Sequence, residues 1–296
     1  MTVFSGNYPP IPVPFREDES LDLQRLESNL QRWVSQPLAG VVCPGSNSEA
    51  AYLSKEEKLV IWKVCASVVK RAGKVFIAGT GVESTAETIE LTRIAAEMGA
   101  DASLVLPPYF YKPQMTHETL LSHYRALGDA STIPLFVYNV PQFTGVDFQP
   151  NTLISLADHP RIIGMKDSSA NVVKIASVLS ARPDFLVFAG TGSALLPFFS
   201  LGAIGGIMAL ANFAAEPLDR LTRAFFAGNA DEARQIQLDL APINVAVTSK
   251  YGVSGLKYAM SRCGFYGGTC RRPLLPLGVE GKKEIDRLLD HLGLLV

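Results

Sequence analysis

Residues 135–166 read LFVYNVPQFTGVDFQPNTLISLADHPRIIGMK, and this stretch contains the repeating unit of the fold. It begins and ends with a short apolar run, at 135–139 and at 162–166. Continuous apolar runs of this length are typical of strands that are buried on both faces, as in a parallel sheet. Parallel neighbours need a crossover connection, which is usually a helix. The stretch therefore predicts one strand-helix-strand unit.

The same alternation recurs along most of the chain. Helix-start signals lie between the apolar runs, such as the capping-box pattern of Ser54 and Glu57 and a second one that opens at Ser84. Eight such units predict a closed α/β barrel, the (β/α)8 TIM barrel, and periodicity alone leaves an open doubly wound sheet as the alternative. The predicted strands are residues 8–13, 40–43, 75–79, 102–106, 135–139, 162–166, 185–189 and 205–209.

The chain after the eighth predicted strand shows only helical patterns. They cover residues 218–227, 231–240, 255–263 and 282–292. An α/β barrel commonly uses about 250 residues, with extensions, as one unit. We therefore predict a (β/α)8 catalytic barrel at 1–225 and a C-terminal helical extension at 226–296 that packs on the barrel.

Composition and charge favour a small molecule as the partner. The 296 residues carry a formal net charge of −1 without a run of like charges, which disfavours binding to nucleic acid or to a membrane. The four cysteines lack C-x-x-C spacing and are expected to be reduced structural thiols. The first 15 residues lack a signal-peptide layout. We expect a cytoplasmic protein, or a mitochondrial one if a targeting segment precedes this sequence.

Two polar residues end predicted strands at the edge where barrel active sites lie. Lys166 ends a buried run, where an ammonium is poorly solvated and a neutral amine can condense with a ketone. Tyr138 ends the neighbouring strand, where a phenol could relay protons. Two structural alternatives stay open at this point: Lys166 forms an ion pair with a carboxylate such as Asp167, and Tyr138 is a core tyrosine with a satisfied hydroxyl.

Glycine-rich turns follow two other predicted strands. Gly45, Ser46 and Asn47 precede a helix, and small residues there let backbone N–H groups face an anion such as a carboxylate. The turn at 190–192 lacks the third glycine of a dinucleotide fingerprint and reads as a strand-end turn. The four histidines are not spaced as metal ligands, so we expect no metal.

Several motifs together resemble the dihydrodipicolinate synthase/N-acetylneuraminate lyase family of class I pyruvate aldolases. They are Tyr-Pro-Pro at 8–10, Gly-Ser-Asn-Ser-Glu at 45–49, Tyr-Asn-Val-Pro at 138–141 and Gly-Met-Lys-Asp-Ser at 164–168. The resemblance runs through nearly the whole chain. Within the family the chain looks most like the 4-hydroxy-2-oxoglutarate aldolases, on the stretches at 205–206, 209–212, 244–248, 255–257 and 266–268.

The resemblance implies an enzyme that needs no cofactor or metal. Lys166 is the expected Schiff-base lysine, and Tyr138 is the expected proton relay. Ser46 and Asn47 are expected to hold the substrate carboxylate, with Ser46 also touching the Tyr138 hydroxyl. The other residues expected to bind substrate are Gly190, Ile207, Phe143 and Phe110. The family also implies a homotetramer built as a dimer of dimers.

Three positions depart from the family pattern. Ser48 stands where the loop usually has glycine, Phe110 where many members have a tyrosine, and Phe143 where dihydrodipicolinate synthases have an arginine. We therefore expect an aldolase that cleaves a 4-hydroxy-2-oxo acid to pyruvate and an aldehyde, and not a dihydrodipicolinate synthase. The alternatives are a 2-oxo-3-deoxy sugar acid aldolase or dehydratase, a hydratase-aldolase of an aromatic 2-oxo acid, and a non-catalytic barrel that binds 2-oxo acids.

Overall fold

The computed structural model describes residues 3–296, in which eight parallel strands alternate with helices. The strands are β1 Gly6–Tyr8, β2 Gly40–Cys43, β3 Val75–Gly79, β4 Ala102–Val105, β5 Leu135–Asn139, β6 Ile162–Asp167, β7 Leu186–Ala189 and β8 Gly205–Ile207. The helices are α1 Leu23–Val34, α2 Lys55–Arg71, α3 Thr85–Glu97, α4 His117–Ala130, α5 Pro141–Thr144, α6 Pro150–Leu156, α7 Val172–Ala181, α8 Leu195–Ser200, α9 Ala215–Phe226, α10 Ala230–Val245, α11 Gly252–Arg262 and α12 Val279–His291.

The strands form one parallel ladder that closes on itself. Strands β2 to β8 pair in chain order, and β1 pairs with β8. The first and second strands are joined by backbone hydrogen bonds, including Ala39 N to Asn7 O at 3.0 Å and Val42 N to Pro9 O at 3.0 Å. These bonds complete the ring, so the predicted (β/α)8 barrel is confirmed and the open sheet is excluded.

One strand prediction is wrong in its position. The first strand was expected at 8–13 but spans Gly6–Tyr8. Residues 9, 10 and 12 are prolines, which have no N–H to donate to a ladder, so the extended chain beyond Tyr8 makes only isolated contacts with β2. The other seven predicted strands agree with the structure to within two residues at each end.

The barrel interior and the space between strands and helices form two separate cores. Alternate residues along each strand point to opposite sides of the sheet. In β5 the side chain of Tyr138 belongs to the inner core, together with Phe136, whereas Val137 belongs to the outer one. The same alternation in β6 puts Met165 in the outer core, so its neighbour Lys166 faces the interior.

Helices α10, α11 and α12 follow the last barrel helix and share its hydrophobic core. Leu240, Leu256 and Leu289 are buried in the same cluster as the outward-facing residues of the strands. The predicted boundary between 225 and 226 falls at the end of α9, and the first two residues of the predicted barrel lie outside the described residues. Within residues 3–296, no helix is long and apolar enough to cross a membrane.

Candidate active site

Lys166 and Tyr138 stand side by side at the carboxyl end of the barrel. They are register partners on β6 and β5, and the Lys166 Nζ lies 4.1 Å from the centre of the Tyr138 ring. Each residue is only 4% exposed. The neighbouring strand ends therefore bring together the amine and the phenol that the sequence singled out, inside the barrel.

The Tyr138 hydroxyl is held by partners from two other loops. It lies 3.3 Å from the Ser46 Oγ, and the side chain of Ser168 also acts on it to lower its pKa. Burial by itself raises the pKa of the Tyr138 phenol. The positive charge of Lys166 and the hydrogen bonds outweigh burial, so this pKa lies below its usual value. A phenol in this state is suited to exchange protons with a bound substrate.

Asp167 does not pair with Lys166. Its side chain is fully buried on the other side of β6, where it accepts hydrogen bonds from Asn139 Nδ2 at 2.6 Å and Ser169 Oγ at 2.7 Å. Its nearest cation is Lys174, whose Nζ lies 4.0 Å away. No carboxylate among residues 3–296 forms an ion pair with Lys166, so the ion-pair alternative is not supported.

The loop after β2 forms a short 3-10 turn at Ser46–Ser48. Within the described chain, the backbone N–H groups of Ser46 and Asn47 donate to no carbonyl, as expected for the first residues of such a turn. Ser48 is buried and not in a left-handed conformation; its hydroxyl donates to the Ile11 carbonyl and accepts from Gly45 N. The glycine-to-serine departure is therefore accommodated, and the left-handed residue is Glu49, with φ 58°.

Gly190 and Ile207 lie at the carboxyl ends of β7 and β8, the two strands that follow β6 around the barrel. Gly190 comes directly after β7, and a Cβ there would stand 2.1 Å from the Ser168 Oγ and 2.6 Å from the Asp167 carbonyl oxygen. Only glycine allows this close approach of the two strand ends. Ile207 is fully buried in the inner core with Tyr138.

A cavity of about 570 Å³ opens at this end of the barrel beside the Ser46 turn. Its wall includes Ser46, Tyr138 and Phe143, and the C-terminal helical region adds Val253 and Leu274. Phe143 is 63% exposed, so it forms a rim. Lys166, Asn47, Gly190 and Ile207 are not part of this wall, and Tyr138 connects the cavity to the buried amine.

Phe110 lies apart from the other predicted site residues. Its side chain is 74% exposed, stacks edge-on against Tyr111, and is not part of the cavity wall. Its backbone N–H donates to Glu83 Oε2 at 2.9 Å, as does that of Tyr109. Tyr109, and not Phe110, contributes to the wall.

Sequence reasoning missed Ser168 as a partner of the phenol. The residue follows Lys166 by two positions and was quoted only as part of a motif. Alternation along a strand puts residues i and i+2 on the same face, which is the signal that could have identified it.

Among residues 3–296 no cluster of three or more His, Cys, Asp or Glu side chains could hold a metal ion.

Comparisons with known proteins cover almost the whole chain. A family model described as the dihydrodipicolinate synthetase family matches residues 3–292. The 4-hydroxy-tetrahydrodipicolinate synthase of Roseobacter denitrificans is 36% identical over 99% of this chain and 100% of its own. That of Methanococcoides burtonii is 34% identical with the same coverage. The crystal structure of the Cyanidioschyzon merolae enzyme with lysine bound is 27% identical, covers 100% of both chains and has a TM-score of 0.95.

Proposed function

The chain belongs to the dihydrodipicolinate synthetase family of pyruvate-using lyases, and on that premise we propose that it is a Schiff-base aldolase acting through Lys166. The proposed reaction cleaves a 4-hydroxy-2-oxo acid to pyruvate and an aldehyde, with 4-hydroxy-2-oxoglutarate as the preferred substrate. The observation that carries the proposal is the buried Lys166 amine, which has no carboxylate partner among residues 3–296 and lies 4.1 Å from the centre of the Tyr138 ring.

The covalent step uses the Lys166 amine in its neutral form, after the ammonium whose charge lowers the Tyr138 pKa has released its proton. The amine attacks the ketone carbon of the substrate to form a carbinolamine, whose hydroxyl takes up a proton and leaves as water. The product is an iminium ion that accepts electrons from the neighbouring bond. Tyr138 relays the proton from the C4 hydroxyl as the C3–C4 bond breaks, so an aldehyde leaves and an enamine remains. Protonation of the enamine at C3 and hydrolysis of the imine release pyruvate and restore the amine.

The Ser46–Ser48 turn after β2 is proposed to orient the substrate. The free N–H groups of Ser46 and Asn47 are suited to bind the carboxylate next to the ketone. The Ser46 Oγ, 3.3 Å from the Tyr138 hydroxyl, connects that carboxylate site to the proton relay. Gly190 and Ile207 are proposed to shape the space beside the reacting carbons, because both lie next to residues of this cluster.

The second candidate is 4-hydroxy-tetrahydrodipicolinate synthase, the activity in the names of the relatives. That activity adds pyruvate to aspartate semialdehyde, which brings a carboxylate of its own. Phe143 argues against it, because an aromatic ring at the cavity rim cannot form the bidentate, charge-assisted bonds of an arginine. Losing such a contact costs about 1.5–3 kcal/mol, or roughly tenfold to a hundredfold in discrimination.

Competition between acceptor aldehydes tests the assignment. The protein and pyruvate are supplied with aspartate semialdehyde, glyoxylate, a sugar aldehyde or an aromatic aldehyde, and kcat/KM is compared. We expect glyoxylate to be preferred over aspartate semialdehyde, which requires that a group other than residue 143 binds the glyoxylate carboxylate. Preference for aspartate semialdehyde would support the synthase, a sugar aldehyde would point to a sugar acid aldolase, and an aromatic aldehyde would make Phe143 a pocket wall. Absence of turnover with all four would favour the non-catalytic alternative.

A further inference from the structure

A fully buried carboxylate lies directly behind the turn that is proposed to bind the substrate carboxylate. Glu49 follows the Ser46–Ser48 turn, and its side chain is 0% exposed. Its Oε1 lies 2.6 Å from the Nζ of Lys257, and its Oε2 accepts a hydrogen bond from the backbone N–H of Arg271 at 2.7 Å. Glu49 therefore connects the turn to α11 and to the segment that follows it.

The backbone of Glu49 needs this support. Its φ of 58° and ψ of 39° are left-handed, and among residues 3–296 only two other non-glycine residues have a positive φ. Such conformations are unfavourable for residues with a Cβ and persist where the surroundings impose them. The reversal at Glu49 leads the chain from the Ser46–Ser48 turn directly into the next 3-10 turn, Ala50–Tyr52. A change at Glu49 would therefore reorient the N–H groups of the preceding turn.

The two partners of Glu49 are themselves fixed. Lys257 is 2% exposed, donates to the Thr269 carbonyl at 2.6 Å and lies 4.5 Å from the centre of the Phe15 ring. Arg271 donates to the Tyr52 carbonyl at 2.8 Å, at the far end of the same loop. Burying either the Glu49 carboxylate or the Lys257 ammonium without the other is strongly unfavourable. The Glu49–Lys257 pair is therefore held in one arrangement.

We propose that Glu49 and Lys257 are positioning residues that hold the Ser46–Asn47 turn in its carboxylate-binding geometry. Because Lys257 lies on α11, this helix then contributes to the site. The inference rests on the proposed function, because it assumes that this turn binds the 2-oxo acid carboxylate. The pair touches neither the Lys166 amine nor the Tyr138 phenol. Its loss should therefore weaken substrate binding while the chemical step at saturation is largely retained.

The test measures how much pyruvate is needed to trap the imine with borohydride. In Glu49→Gln, the new amide can still accept from the Arg271 N–H, but the charge that holds Lys257 is gone. We expect the half-saturating pyruvate concentration, and KM in turnover, to rise about tenfold to a hundredfold. Labelling at saturating pyruvate and kcat should stay within a few-fold of the unmodified protein. An unchanged half-saturation would overturn the inference.

Two further variants separate positioning from general destabilisation. Lys257→Met with Glu49→Gln removes both charges, so its Tm should recover relative to either single variant while the half-saturation stays raised. Asp286→Ala is the matched control, because Asp286 accepts from Arg262 of the same helix α11 at 2.7 Å. It should lower the Tm without raising the half-saturation. If the half-saturation follows Tm across all these variants, the positioning role is wrong.

The unmodified protein distinguishes this inference from the function on which it rests. If it takes no pyruvyl label at any pyruvate concentration, the proposed function fails, and the positioning role fails with it. If it is labelled on Lys166 and only the variants leave the half-saturation unchanged, the function stands and the positioning role alone is wrong.

Discussion

The proposed chemistry depends on an amine and a phenol that occupy paired positions on adjacent strands. Lys166 supplies the nucleophile, and Tyr138 supplies a hydroxyl whose pKa is lowered by the Lys166 charge and by hydrogen bonds, against the opposing effect of burial. A phenol with a lowered pKa gives up and recovers its proton more readily at neutral pH. The Ser46 Oγ, 3.3 Å from the hydroxyl, keeps the phenol in the orientation that this exchange requires.

Tyr138→Phe removes the proton relay and leaves the ring in place. We expect kcat to fall about 10²–10⁴-fold, because a positioned acid-base group contributes that much to a proton transfer. Steady-state kinetics with the preferred substrate measure the loss. Tyr124→Phe is the matched control, since this fully buried tyrosine donates to the Val105 carbonyl at 2.8 Å and lies outside the cavity wall. Near-normal activity of Tyr138→Phe would make Tyr138 a structural core residue.

Phe143→Arg introduces a cation at the cavity rim, where the protein has an aromatic ring. We expect kcat/KM for aspartate semialdehyde to rise roughly tenfold to a hundredfold, because the new guanidinium can bind the acceptor carboxylate at the cavity rim. Phe143→Leu should not show this gain, since it changes only the shape of the rim. Equal kcat/KM values for the two variants would show that Phe143 does not control acceptor choice.

At the scale of the strands, the sequence predicts which polar residues come together where single apolar runs end. Lys166 and Tyr138 could be identified because each ends such a run, and parallel strands bring these ends to one rim of the barrel. Phe110 could not be placed in the same way, because it lies on a loop whose path no periodicity describes. The Glu49–Lys257 pair joins residues more than 200 positions apart, which only the tertiary fold reveals.

Helix α4 contains a histidine that makes stability depend on pH. His123 is 5% exposed, and burial lowers its pKa to about 4. Below pH 6.5 the unfolded chain takes up a proton there, whereas the folded chain does not until about pH 4. The contribution of His123 to the free energy of unfolding is therefore fully present above pH 6.5. It falls by roughly 3 kcal/mol as the pH decreases toward 4.

His123→Gln should remove this part of the pH dependence, because the amide does not titrate and can still bond to Thr85, whose Oγ1 lies 2.8 Å from His123 Nδ1. Urea unfolding at pH 7 and at pH 4.5 gives the free energy of unfolding for both proteins. We expect the variant to lose less stability over this interval. Equal losses in the two proteins would show that His123 is not kept neutral by the fold.

On the scale of the whole molecule, we expect four copies assembled as a dimer of dimers. Phe110 and Tyr111 are 74% and 67% exposed and contact each other edge-on, and an exposed aromatic pair of this kind favours an interface. Light scattering at micromolar concentration should give four times the 32.0 kDa mass of the chain. A monomer under those conditions would contradict the expectation and leave the aromatic groups without a role in assembly.

The barrel buries the Lys166 amine on which the proposed chemistry depends. Borohydride reduction in the presence of pyruvate and a chelator tests it most directly, because an imine would be fixed as a stable secondary amine that peptide mass spectrometry can locate. We predict one reduced pyruvyl group on Lys166, and none in Lys166→Arg, whose guanidinium stays protonated. A label on another lysine, a label only after metal is restored, or no label would show that Lys166 does not form a metal-independent imine.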